Sequence, residues 1–406
     1  EVASHAIIAG RAALRSSEGD LFLQVVTVYA DIRRDGRVLA LRAANLKQLD
    51  ATLAEVVARR EAGELTRTDI AQAETQRDLA RAQYNSAVQQ LEQDRADYAA
   101  LVGRDAGVLA PEPSLPGFPT SIEEAFDVAA RRNPDLAQAI AAEKVSRSRI
   151  AVAASEGQPR LSLRGTATLS DRLLPLRAYN ADRGFTGQAI LSIPLTNGGR
   201  VGALIAQAKD RNVADRVRIE AARRQIVQSI VGAWNAVATA ERNIEVQSAQ
   251  RASARTLNEG TFEEYRAGLR STFDVLFAQG SLRDAEISLV ASRRDLYVAQ
   301  ASVLRQIGML EAATLLNNTP LYDPSVNLKG ASDRGAMLWD GAVRAFDRFD
   351  RRLPKASRIE QPSLPAAKPA LTSAAPLLRV DPTSHTPNQP LPGTTGIPAS
   401  LKGVKP

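Results

Sequence analysis

The chain has 406 residues, is 44% hydrophobic but only 4% aromatic, and carries a formal net charge of +7. It contains no cysteine, which excludes disulfides and thiolate metal sites, and its wealth of Ala, Leu, Val, Arg, Gln and Glu suits long helices packed side by side. Arg alternates with Glu or Asp along the helical segments, the pattern of a solvated helix face and not of a nucleic-acid-binding surface.

Glu1 lies inside a helical pattern, with no initiator Met or signal peptide before it, so the chain reads as a fragment or a processed product. That pattern continues to about Arg60. Gly63 suits a C′ position, where a left-handed backbone is needed, and Thr66 suits an N-cap. A second helix is predicted from Asp69 to about Leu101. SIEEAFDVAARRNPDLAQAI predicts a capped helix from Ser121 to Arg132, stopped by Asn133-Pro134, and a further helix from Pro134 to about Ser155.

The period then changes. In PRLSLRGTATLS, Leu161, Leu163, Gly165, Ala167 and Leu169 share one parity, while Ser162, Arg164, Thr166, Thr168 and Ser170 share the other. TGQAILSIPL repeats the alternation, with Gly187, Ala189, Leu191, Ile193 and Leu195 on one face. Each segment has the length of a transmembrane β-strand. A soluble hairpin with one buried face has the same pattern. The loop between them, DRLLPLRAYNADRGF, is long, as extracellular loops of outer-membrane barrels are.

From about Val201 to Tyr265 there is no Pro, and Ile226, Ile230, Val231, Trp234, Val237 and Ile244 form one helical stripe. Gly268 and Ser271 offer a second corner like the first, and a return helix is expected from about Phe273 to Ala312. Thirteen of the 21 Pro residues lie from Pro320 onward, which predicts a disordered tail. One stretch there, AMLWDGAVRAFDRF, reads either as an amphipathic docking helix or as part of that tail. No run of residues is apolar for the roughly 18 positions of a transmembrane helix.

The two halves match. An offset of 205 residues carries Gly63 to Gly268 and Asp69 to Asp274. It also carries Tyr29 to Trp234, Ala73 to Ala278, Ala80 to Ala285, Leu91 to Leu296, Ala96 to Ala301 and Gly103 to Gly308, without a gap. This is an internal duplication of long period. Catalytic signatures are missing: the two His residues, His5 and His385, are far apart, and no phosphate loop, Gly-rich dinucleotide motif, nucleophile elbow or metal-ligand spacing occurs.

The order of long hairpin, small helices, β-hairpin and long hairpin resembles the TolC family of outer-membrane efflux and type I secretion channels over about residues 1–312. The residues that carry the resemblance are NPDL at Asn133 to Leu136, QPRLSL at Gln158 to Leu163 and IPLTNGGRVGALIAQA at Ile193 to Ala208. The two corners, GELTRTDIAQAE and GLRSTFDVLFAQ, complete the set.

The resemblance implies a mainly α fold with a small transmembrane β part. Long antiparallel coiled-coil hairpins form a trimeric α-barrel in the periplasm, and strands form an outer-membrane β-barrel. It places a first-repeat hairpin at 1–106, equatorial helices at 107–158, the β-hairpin at 159–196, a second-repeat hairpin at 197–312 and the Pro-rich tail at 313–406. It implies a homotrimer that conducts substrate without chemistry and without a cofactor. The expected partners are a periplasmic adaptor (membrane fusion protein), an inner-membrane ABC or proton-driven transporter and outer-membrane lipid, with no nucleic acid.

It also implies roles for residues. Asp274 matches the ring Asp at the tunnel's closed end. The position three residues on, often a second Asp in the family, is Phe277, which reads either as helix packing or as an apolar constriction. Thr68, Asp69, Tyr265 and Arg270 match the polar links that hold the closed state, with Asp69 accepting from Tyr265 and pairing with Arg270 of a neighbouring protomer; ordinary cap and surface roles are the alternative. The surface around Gly63, Gly268 and Leu269 is where an adaptor tip would dock. The chain departs from the pattern at its start: Ala206 maps onto Glu1, so the hairpin expected before the first repeat is missing. Three such chains offer six strands where the family has twelve, and the expectation is that this chain alone does not form a native pore. A periplasmic adaptor and a coiled-coil scaffold remain alternative readings; an adaptor, however, has one helical hairpin flanked by lipoyl-like β halves.

Overall fold

The structure, a computed structural model, describes residues 2–170 and 182–315, with positions 326–327, 330–331 and 341. The chain divides into two compact units, Glu1–Leu328 and Lys329–Pro406. Every element below belongs to the first, and the AMLWDGAVRAFDRF stretch falls almost wholly outside the described residues.

Two helical hairpins dominate. α1 (Val2–Glu61) returns through α2 (Arg67–Val102), and α5 (Arg200–Arg266) returns through α6 (Thr272–Ile307). With 67 residues, α5 is about 100 Å long at 1.5 Å per residue. An isolated amphipathic helix gains little from propensity alone; each long helix is held by small or branched side chains on one stripe, such as Ile230, Val237 and Ala240 on α5. The return helix stops at Ile307 and not near Ala312. Gly308 takes a left-handed φ of 75° and caps it, and the single turn α7 (Ala312–Leu315) comes next.

The short helices α3 (Ile122–Arg132) and α4 (Pro134–Ser155) fasten the middle of the hairpins. Ser121 caps α3. Asn133 accepts from the Leu136 amide to cap α4 and donates to the Gln306 carbonyl on α6 at 2.7 Å. Ala125 and Ala129 of α3 pack onto Ile230, Val303, Leu304 and Ile307, and Phe118 stacks on Trp234 at 5.8 Å. Arg305, 7% exposed, donates to Asp20 on α1 at 2.6 Å and to Asp135 on α4 at 3.4 Å. One guanidinium therefore ties three elements.

β1 (Arg160–Ser170) pairs antiparallel with β2 (Asp182–Ser192). β2 begins four residues earlier than its alternation suggests, because β1 runs to Ser170 and the register Ser170↔Asp182 extends the ladder. It ends before Pro194, which has no amide to donate. The register sets Leu161 opposite Leu191, Leu163 opposite Ala189 and Gly165 opposite Gly187, so the two apolar parities fall on one face. Ser162, Arg164 and Thr166 share the other face with Gln188 and Thr186. Leu163 is 80% exposed and Leu161 66%, so among the described residues nothing covers these apolar side chains. No helix among the described residues is long and apolar enough to cross a membrane.

Candidate functional site

The two corners are built by the same local rules. At each, a Gly in the left-handed region closes the incoming helix, Gly63 at φ 82° and Gly268 at φ 80°. The Gly63 amide donates to the Arg60 carbonyl and the Glu64 amide to that of Arg59; the Gly268 amide donates to Tyr265 and the Leu269 amide to Glu264. Both are Schellman motifs, which satisfy otherwise orphaned carbonyls. Three residues after each Gly a hydroxyl residue opens the next helix. The Asp69 amide donates to Thr66 Oγ1, while the Thr66 amide and hydroxyl donate back to Asp69 Oδ2 at 2.9 and 2.7 Å. Ser271 and Asp274 repeat this reciprocal capping box at 3.1 and 2.7 Å.

The Asp just past each turn is thus first a helix cap. Hydrogen bonds from Thr66 and from Ser271 hold the Asp69 and Asp274 carboxyls below the usual carboxylate range, so both are ionised at neutral pH. Only Oδ2 serves the cap, and Asp274 keeps Oδ1 for another contact. Asp274 therefore sits as a fixed negative charge at the N-terminus of α6, where the helix dipole also favours it.

Of the residues expected to latch, the structure brings some together and not others. Tyr265 is 3% exposed, and its hydroxyl is buried without a hydrogen-bond partner in this chain. Asp69, the expected acceptor, is occupied by Thr66. Within the chain, Arg270 pairs with Glu264 of its own corner at 2.6 Å; the expected pair with Asp69 lies between protomers. Thr68 is exposed. The group that crosses from one corner to the other is Arg59: its guanidinium lies 4.7 Å from the Tyr265 ring centroid and its Nε donates to Glu64 at 2.9 Å. Leu49 of α1, Ala80 of α2 and Leu276 of α6 pack together behind it, and Gln279 donates to Thr52 at 3.4 Å. Neither Arg59 nor Glu264 stood out in the sequence. Each occupies the C3 position of its Schellman motif, and the two are related by the repeat, which is the signal that would have found them.

The outer sides of the corners differ. Leu269, Phe273 and Phe277 are 76%, 57% and 62% exposed, and the two rings stack at 6.4 Å. The corresponding residues of the first corner are Glu64, Thr68 and Gln72.

The Outer membrane efflux protein family matches residues 125–309. The chain is 29% identical over 330 residues to Outer membrane efflux protein BepC of Brucella suis biovar 1, covering 81% of this chain and 72% of that protein. It is 24% identical over 324 residues to Outer membrane protein TolC of Escherichia coli strain K12, covering 74% of this chain and 64% of that one. Its fold is similar to the crystal structure of the Campylobacter jejuni CmeC outer membrane channel, with a TM-score of 0.65, 16% identity and coverage of 83% and 71% of the two chains.

Proposed function

The chain belongs to the TolC family of outer membrane efflux proteins, and on that premise we propose that it is the outer-membrane duct of a tripartite efflux or type I secretion system. It carries substrate from the periplasm to the exterior without chemical change. The observation that supports this most is the pairing of two repeat-related helical hairpins with a β-hairpin that gathers Leu161, Leu163, Ala189 and Leu191 on one exposed face. In lipid that face is satisfied. The open strand edges are not, since unpaired backbone groups there cost several kcal/mol each. Closure of the barrel by rotational symmetry removes the edges, and a homotrimer is the assembly we infer.

In this reading the helices hang into the periplasm and the corners form the gated mouth. Three Asp274 carboxylates face one another across the axis as a cation-attracting ring, and Phe277 behind them makes the constriction apolar. Thr68, Asp69 and Arg270 are the latch groups accessible to a neighbouring protomer, and Tyr265, whose hydroxyl is buried inside its own chain, joins them where the corner opens. A periplasmic adaptor docks on the turn surface around Gly63, Gly268 and Leu269, and an ABC or proton-driven transporter in the inner membrane drives export. A single adaptor-type hairpin does not account for two matched corners.

Partition into the outer-membrane fraction with heat-modifiable migration in detergent is the expected behaviour; a chain found wholly in the soluble periplasm contradicts the reading. In trimers extracted from the outer membrane, Arg270→Ser frees Glu264 and is expected to raise single-channel conductance. Unchanged conductance removes Arg270 from the latch.

A further inference from the structure

Midway along the first hairpin, α1 and α2 meet through two carboxyl groups. Asp35 of α1 is 6% exposed and Asp94 of α2 is 7% exposed. The offset of 205 places Ala240 and Ala299 at the matching positions of the second hairpin, and both are buried as well. The matched buried positions therefore carry alanine in one half and carboxyl groups in the other.

The surroundings hold too few positive charges for both to ionise. On α1, Arg34 donates to Asp35 at 2.5 and 2.9 Å and pairs with Asp31 at 2.8 Å. From α6, Arg294 donates to Asp31 at 2.7 and 3.0 Å and also reaches Asp295, which is exposed. On α2, Gln90 donates to Asp94 Oδ1 at 2.9 Å. Two guanidiniums thus face three carboxyls, Asp31, Asp35 and Asp94. Asp94 is the one left over: its nearest cation, Arg34, is 3.8 Å away, and its buried Oδ2 has no hydrogen-bond partner. A bound proton cures both faults, because it neutralises the uncompensated charge and supplies a donor toward Asp35.

We propose that Asp35 and Asp94 form a one-proton clasp that ties α2 to α1, and that loss of this proton in alkaline medium loosens the first hairpin and spares the second. Burial first, and then the hydrogen bond to Asp35, push the Asp94 carboxyl up to about 7, while the guanidinium of Arg34 keeps Asp35 low despite its burial. The sign follows. The folded chain holds a proton that the unfolded chain releases in the ordinary Asp range, so the clasp contributes fully below that range. Its contribution declines as pH rises and is gone above about 7.

The test uses the protein in detergent micelles from about pH 5 to about pH 9. Infrared spectra are expected to show a protonated carboxyl band that fades across neutrality and is missing in Asp94→Asn. A wild type without the band, or a variant that keeps it, overturns the proposal. Hydrogen exchange, corrected for its intrinsic pH dependence, is expected to quicken roughly tenfold in segments 28–42 and 87–101 and to stay level in 233–247 and 292–306. An equal change in both hairpins, or none, overturns it. The double substitution Asp35→Ala with Asp94→Ala puts at both positions the residue that the second hairpin buries there. It is expected to remove the pH dependence; a double variant that still responds contradicts the clasp.

Discussion

The two hairpins share a backbone and differ in what they hang on it. Gly63 and Gly268, Thr66 and Ser271, Asp69 and Asp274 close and reopen the chain with the same hydrogen bonds. Around that common corner the first hairpin presents Glu64, Thr68 and Gln72, and the second presents Leu269, Phe273 and Phe277. Capping depends on a few local groups and leaves the outward side chains free to vary. A duplicated element can thus keep its turn and give its two copies different work, with the second copy supplying the apolar tip and the first the partner it packs beside.

The largest effect should come where matched positions have different neighbours. Gly103 and Gly308 end the two return helices with φ of 80° and 75°. A Cβ at Gly103 meets nothing, whereas at Gly308 it meets the Arg132 carbonyl oxygen at 2.6 Å and Asn133 Cα at 3.0 Å. Gly103→Ala is expected to cost only the left-handed strain of about 1–2 kcal/mol. Gly308→Ala adds overpacking, for a total of roughly 2–5 kcal/mol. Denaturation followed by the helical circular dichroism signal should rank them in that order, and equal losses would mean that the α3–α4 junction is softer than it looks.

The caps should behave alike in both halves. Thr66→Ala and Ser271→Ala are each expected to cost about 1 kcal/mol, and a large inequality in denaturation midpoints would break the claim of a shared corner. The smallest effect is one of pH. The Asp69 and Asp274 carboxyls lie below their ordinary range, so their stabilisation is present above that range and lost as pH falls through the lowered values. Amide exchange at 66–70 and 271–275 should therefore quicken together in acid. The Asp94 clasp weakens in the opposite direction, toward alkali, and only in the first hairpin.

Much of the architecture was legible because helical periodicity, Gly positions and a gap-free repeat are local or linear signals. The strands were legible as alternation. Their ends were not, because β2 begins at Asp182 to match the length of β1, a property of its partner. At the corners, the bonding within one chain is set by caps. Asp69 and Asp274 sit three residues after Thr66 and Ser271, the spacing of a capping box, and that spacing is where their first role lies. Arg270 pairs on the surface with Glu264, a carboxylate of its own corner. Asp35 and Asp94 were visible only as two more charges in an alternating pattern; overlaying the halves and finding Ala240 and Ala299 would have marked them.

In the proposed gate the second corner, and not the first, narrows the channel mouth. Single-channel conductance of trimers extracted from the outer membrane tests it most directly, comparing Phe277→Ser with the repeat-matched Gln72→Ser. Conductance is expected to rise for Phe277→Ser and to stay unchanged for Gln72→Ser. Equal effects, or an effect of Gln72→Ser alone, would contradict it.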